Sequence, residues 1–165
     1  MGSSSGAAHS GAELAPETLE TLQAATRVLA GVALRSVDVL DGTVTLPQFR
    51  MLAVLADLGR ARSVQVARAL GLEASTVTRL ADRMVAAGYV SRGGEPGHRG
   101  VVTLELTGSG QDLVGRVAAW REQELARIFR QLPQAGQAQV TRALRQLVAA
   151  AGEGYGTISR GLVPV

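Results

Sequence analysis

The sequence predicts a mainly α chain carrying one small β element, and three observations lead there. Hydrophobic residues make up 46% of the 165 residues but aromatics only 3%, the balance of a core packed with Leu, Val and Ala on helices rather than on strands. Apolar residues recur at helical spacing through six segments, each bounded by Gly, Pro or a capping residue. One stretch, 89–106, instead pairs two short β-like runs around a Gly-rich middle. The length suits one domain with a real core.

Taken in order, residues 1–14 are small and polar and read as a disordered tail. Pro16 opens a helix that runs to about Leu40, because a missing N–H costs nothing in a first turn. From Thr21 to Leu34 its only charge is Arg27, the pattern of a helix covered on most sides, as at a subunit interface. Asp41-Gly42 ends it as a turn. Thr45, Pro47 and Gln48 start a second helix with a capping pattern, an apolar stripe through Phe49, Leu52 and Leu55, and Gly59 as the stop. Ser63 is the expected cap of a short third helix, Val64–Leu70, closed by Gly71. Two residues later a fourth helix begins, about Ala74–Ala87, with Val77, Leu80 and Met84 on one face and Gly88 at its end. Tyr89–Arg92 reads as a strand, Gly93–Gly100 as a long turn and Val101–Leu106 as a second strand. Thr107 caps a fifth helix, Gly108–Arg130, whose stripe is Val114, Val117, Leu125, Ile128 and Leu132. Pro133 breaks the chain before a sixth, Gln134–Ala151, with Val140, Leu144, Leu147 and Val148 aligned. Residues 154–165 read as a loose tail.

Composition excludes several classes of function. With no Cys there is no disulfide framework, thiolate metal site or thiol switch. His9 lies in the tail and His98 in the turn, so no metal site is expected. No apolar run reaches the roughly 18 residues of a spanning helix, and the N-terminus lacks the pattern of a secretory signal. The expected location is the cytoplasm. No P-loop, HExxH, GxSxG or strand-linked GxGxxG occurs, and Glu122 and Glu124 fall on different helix faces. No enzyme and no cofactor is expected.

Charge is distributed unevenly. All 17 basic residues are Arg, which a GC-rich coding bias explains without any function. Residues 59–100 nevertheless hold seven of them against three acids, while the rest of the chain is slightly acidic. A local basic segment is the electrostatic footprint of a nucleic-acid binder. It coincides with a short helix, a tight Gly-containing turn, a second helix and a hairpin, the order of a winged helix-turn-helix. In that arrangement the second helix enters the major groove and its N-terminal side chains meet base edges. Here these are Ala74, Ser75, Thr76, Thr78 and Arg79, with Arg83 a turn further on. Arg62, Ser63 and Gln65 at the start of the third helix join them, and Arg92, His98 and Arg99 give the hairpin a basic edge suited to the neighbouring groove. The alternative for any single Arg is a solvated helix face.

The strings TLPQFRMLAVLADLG, VQVARALGLEASTVTRLADRMVAAGYVSR and VVTLELT, in that order between about Thr45 and Thr107, resemble the MarR family of winged helix-turn-helix transcriptional regulators. With the flanking helices the resemblance spans about Pro16 to Ala151. It implies an obligate homodimer in which the first, fifth and sixth helices form the interface and two lobes, 43–107, straddle a palindromic operator in duplex DNA. The dimerisation region is then 15–42 with 108–153, and half-sites lie about one helical turn, roughly 10 bp, apart. The wing departs from the family's Asp-Arg-Arg: His98-Arg99-Gly100 stands there, so the usual Asp brace is missing, Glu95 is its candidate substitute, and a mobile tip is expected.

The family also implies a small aromatic or anionic effector in the crease between dimer helices and lobe, with Leu34, Arg35, Asp38 and Phe49 as candidate contacts. For Arg35 an i,i+3 ion pair with Asp38 is the favoured alternative. The competing reading of the whole chain is a winged-helix protein-interaction or dimerisation module without specific DNA binding.

Overall fold

The computed structural model describes residues 14–95 and 98–152. The expected tails lie outside them apart from the exposed Leu14. The elements are α1 (Pro16–Asp38), α2 (Leu46–Leu58), β1 (Ala61–Arg62), α3 (Ser63–Leu70), α4 (Ala74–Ala86), β2 (Val90–Glu95), β3 (His98–Leu106), α5 (Gly108–Phe129) and α6 (Gln134–Ala151). The sheet order is β1-β3-β2, antiparallel throughout. The wing is thus three-stranded. Its first strand escapes periodicity because it is two residues long, Ala61 and Arg62 pairing with Leu104 and Thr103.

The chain divides into two compact units, one ending at Gly31 and one beginning at Val32. In the first, every α1 residue from Pro16 to Ala30 is exposed, including the apolar Leu19, Leu22, Val28 and Leu29. Thr21 and Thr26 donate their hydroxyls to the carbonyls of Glu17 and Leu22 at 2.8 Å, which hides polarity inside the helix.

In the second unit α1 ends two residues early, at Asp38. The turn that follows places Asp41 at φ 45 and Gly42 at φ 71 and drives Leu40 into the core. α2 is central: Phe49, Met51, Leu52, Ala53, Val54 and Leu55 are all buried. Its start is fixed by Gln48 Oε1, which accepts from the Thr45 N–H at 2.7 Å. Around it pack Val66 and Leu70 of α3, Val77, Leu80 and Met84 of α4, Leu104 of β3, and Leu113 and Val117 of α5.

Three local expectations are corrected. The residue before α3 is Arg62, not Ser63; the cap is backbone-to-side-chain, Arg62 N–H donating to Gln65 Oε1 at 2.8 Å. α4 ends at Ala86 rather than Ala87. Gly93 and Gly94 belong to a strand rather than a turn, opposite Thr103 and Val102. A Cβ on Gly93 would sit 3.2 Å from Thr103 Oγ1, so the missing side chain is what lets the two strands close there.

The start of α5 is locked to the end of α4. Thr107 Oγ1 accepts from the Gly110 N–H at 3.2 Å and donates to the Gly88 carbonyl at 2.7 Å. Its backbone N–H reaches the Tyr89 carbonyl at 3.1 Å. At Gly110 an added Cβ would lie 2.2 Å from that same carbonyl, so only Gly fits.

Candidate nucleic-acid interface

The turn between α3 and α4 sets how α4 is presented. Gly71 adopts the left-handed conformation (φ 66, ψ 34). The Leu72 N–H returns to the Ala67 carbonyl at 3.0 Å and the Gly71 N–H to Arg68 at 3.3 Å, a Schellman closure that satisfies the last carbonyls of α3 and reverses the chain sharply. α4 then buries Val77, Leu80, Ala81 and Met84 against the lobe. Periodicity turns the other side outward: Ala74, Ser75, Thr78, Arg79 and Arg83 are exposed and Thr76 is half-buried. Two of these are locally occupied. Thr78 Oγ1 donates to the Ala74 carbonyl at 3.0 Å, and Arg79 Nη2 donates to Thr76 Oγ1 at 3.4 Å. The side chains of Ser75 and Arg83 are displayed without such contacts. This is a convex helix whose outward side carries small polar groups and two guanidinium forks, a shape and chemistry that fit a major groove.

The flanking candidates fall less uniformly. Ser63 is half-buried. Gln65 is exposed, but its side-chain oxygen is engaged in the cap, and Arg62 is an exposed strand residue. Arg92 of β2 does not stand free: its Nη2 is hydrogen-bonded and ion-paired to Asp82 Oδ1 of α4. On the other edge of the wing Arg60 pairs with Glu105 at 2.8 Å. The side chains of His98 and Arg99, and the expected mobility of the tip around Pro96 and Gly97, lie outside the described residues.

Among known proteins, the model of the MarR family matches residues 43–99. RV1404 from Mycobacterium tuberculosis is 33% identical, with a TM-score of 0.78 over 86% of this chain and 98% of that one. The chain belongs to the MarR family. A MarR family protein from Bacillus stearothermophilus is 26% identical, TM-score 0.68, over 82% and 96%. A MepR variant from S. aureus bound to an oligodeoxyribonucleotide shares the fold at 18% identity, TM-score 0.64, over 84% and 99%. No curated protein sequence matches. The fold is therefore that of a MarR family transcriptional regulator, and among the described residues no helix is long and apolar enough to cross a membrane.

Within that family fold the four expected effector contacts differ in exposure. Leu34, Arg35 and Asp38 are exposed, whereas Phe49 is 0% exposed and belongs wholly to the core; the 3.6-residue stripe that marked it as apolar carried no information on which side a ligand could approach. Arg35 and Asp38 form no ion pair; the charge Arg35 acts on is Glu124 of α5. The Glu124 carboxyl is held below its usual range, first by hydrogen bonds from Arg127 at 2.8 and 2.7 Å and then by the charges of Arg127 and Arg35, against partial desolvation. An open cleft of about 400 Å³ lies elsewhere, between the end of α2, β3 and α5, lined by Leu55, Asp57, Glu105, Gln111 and Val114 among others.

One residue escaped sequence reasoning altogether. Arg121 of α5 is only 5% exposed; its Nη2 donates to Ser36 Oγ of α1 at 2.9 Å, while Nε and Nη1 find no partner. Burial pushes its pKa down. Among the described residues no group of three or more potential metal ligands comes together.

Proposed function

We propose that this protein binds duplex DNA sequence-specifically as a homodimer, acting in the cytoplasm as a repressor on a palindromic operator and released from it by a small aromatic or anionic ligand. The observation that carries the reading is the outward side of α4, where Ser75, Thr78, Arg79 and Arg83 are exposed together while Val77, Leu80 and Met84 anchor the helix from behind. Arg79 and Arg83 supply forks for guanine edges or phosphates, and Ser75 and Thr78 supply hydroxyl and methyl contacts. A structural relative from S. aureus binds an oligodeoxyribonucleotide, which supports the same use of the fold here.

The dimer reading rests on apolar side chains left in solvent. α6 has no buried residue, and Leu144, Leu147 and Val148 are exposed; a second copy covering such helices is the economical explanation. The lobe is then 43–107, and the dimerisation region is 15–42 with 108–153. Selection of bound duplexes from a random pool tests mode and symmetry together. The expected result is a palindrome with half-sites about 10 bp apart, binding that weakens steeply with salt, and loss of binding when a cognate aromatic acid is added. Absence of salt-dependent duplex binding would overturn the reading and leave a protein-interaction module.

A further inference from the structure

We propose that Asp82 gates Arg92: in the free protein it holds the wing's guanidinium against α4, and only a closely seated DNA phosphate takes that guanidinium over. The inference rests on the DNA-binding reading above and adds to it a residue that restrains non-specific contact. Asp82 is the only acid in α4. It lies three residues after Arg79 and beside Arg83, yet its partner is neither: Arg79 contacts Thr76, and Asp82 reaches across to Arg92 of β2. The pair joins the helix that would enter one groove to the hairpin that would approach the next.

Its exposure decides its character. The two side chains are 54% and 40% exposed, so the pair is weak and solvent-screened, and a competing anion can break it. While it lasts, Arg92 adds no net positive charge, and a duplex lying loosely on α4 gains nothing from it. Exchange of partners gives Arg92 to a phosphate but strands Asp82 as an unpaired carboxylate on a surface facing phosphates. That exchange is favourable only where the phosphate sits close and well aligned to the guanidinium fork. Asp82 therefore removes one phosphate contact from loose binding and returns it in the seated complex.

The test is a salt titration of binding to random-sequence duplex by the unaltered protein, Asp82→Asn, Arg92→Gln and the double variant. All substitutions are at exposed sites, so folding is preserved. The expected result is tighter binding by Asp82→Asn, with a plot of log affinity against log salt steeper by about 0.9, the share of one further phosphate. In the Arg92→Gln background the same substitution leaves the slope unchanged. Weaker binding by Asp82→Asn at an unchanged slope would make the pair a mere brace and overturn the gate. So would equal steepening in both backgrounds, which would reduce Asp82 to a repulsive charge independent of Arg92. If the unaltered protein shows no salt-dependent duplex binding, the DNA reading itself fails and the gate with it.

Discussion

The lobe and α6 have similar apolar content but opposite surroundings. In the lobe Phe49, Leu52, Val66, Val77 and Leu104 are each 0% exposed. In α6 the stripe Val140, Leu144, Leu147 and Val148 is exposed along its length, up to 70% at Val148. The same 3.6-residue periodicity thus produced a finished core in one region and an unfinished surface in the other. Periodicity states that a face will be buried; it does not state by what. The lobe's core is completed within one chain, whereas the described residues leave the α6 stripe in solvent.

The largest expected effect breaks the lobe. Phe49→Ala removes a fully buried ring from the centre of α2 and costs about 3–5 kcal/mol. Thermal melts should show a large drop in Tm that does not change with protein concentration; a drop under 1 °C would mean that α2 is not the centre of the core. Val148→Asp probes the other region. It leaves the melt of the lobe nearly unchanged, because the side chain is already in solvent, but sets a carboxylate in the proposed dimer surface. Sedimentation should show dimer affinity reduced roughly thirtyfold, about 2 kcal/mol. Unchanged association would remove α6 from the interface.

How much of this was legible beforehand follows from range along the chain. Local punctuation was legible: Gly71, Gly88, Thr107 and Pro133 each fall where an element ends or begins, and α6 runs Gln134–Ala151 as its pattern implies. The outward side of α4 followed from the buried one by periodicity alone. Contacts between distant residues were not legible. The Asp82–Arg92 pair spans ten residues and a change from helix to strand, and no spacing rule links them. The cap on α3 was misplaced because Ser63 is the commoner capping type, whereas here the work falls to Gln65 accepting from the Arg62 N–H. Arg121 was invisible for a different reason. It continues the inward stripe of Leu113, Val114 and Val117, but a charged residue on such a stripe is read as a break in it.

That residue sharpens the comparison, because it stands where α5 leaves the lobe core. A guanidinium only 5% exposed, with two nitrogens unpartnered among the described residues, carries a desolvation cost and has one hydrogen bond, to Ser36, set against it. Arg121→Met keeps an unbranched, flexible apolar stem and removes the charge with the guanidinium. It should stabilise the fold by about 1 kcal/mol, with Tm raised by a few degrees. Destabilisation would show instead that an acidic group in the assembled protein completes the site.

The smallest effect belongs to the Glu124–Arg127 pair further along α5. The folded-state pKa of Glu124 is depressed, so its contribution to stability is present above the unfolded carboxylate's value, near 4.3, and is lost as pH falls through the lower folded value. The direction is therefore a decline in Tm on acidification below about pH 4.5, small because the Arg127 side of the pair is solvent-exposed and screened. Arg127→Gln removes the principal cause of the depression, since both short hydrogen bonds come from that guanidinium. What should then remain is the weaker field of Arg35, so the acid-side decline in the variant should shift upward towards the unfolded value without vanishing. Identical acid profiles for the two proteins would mean that Glu124 is set by its surroundings in the assembled protein rather than by its neighbour one turn away.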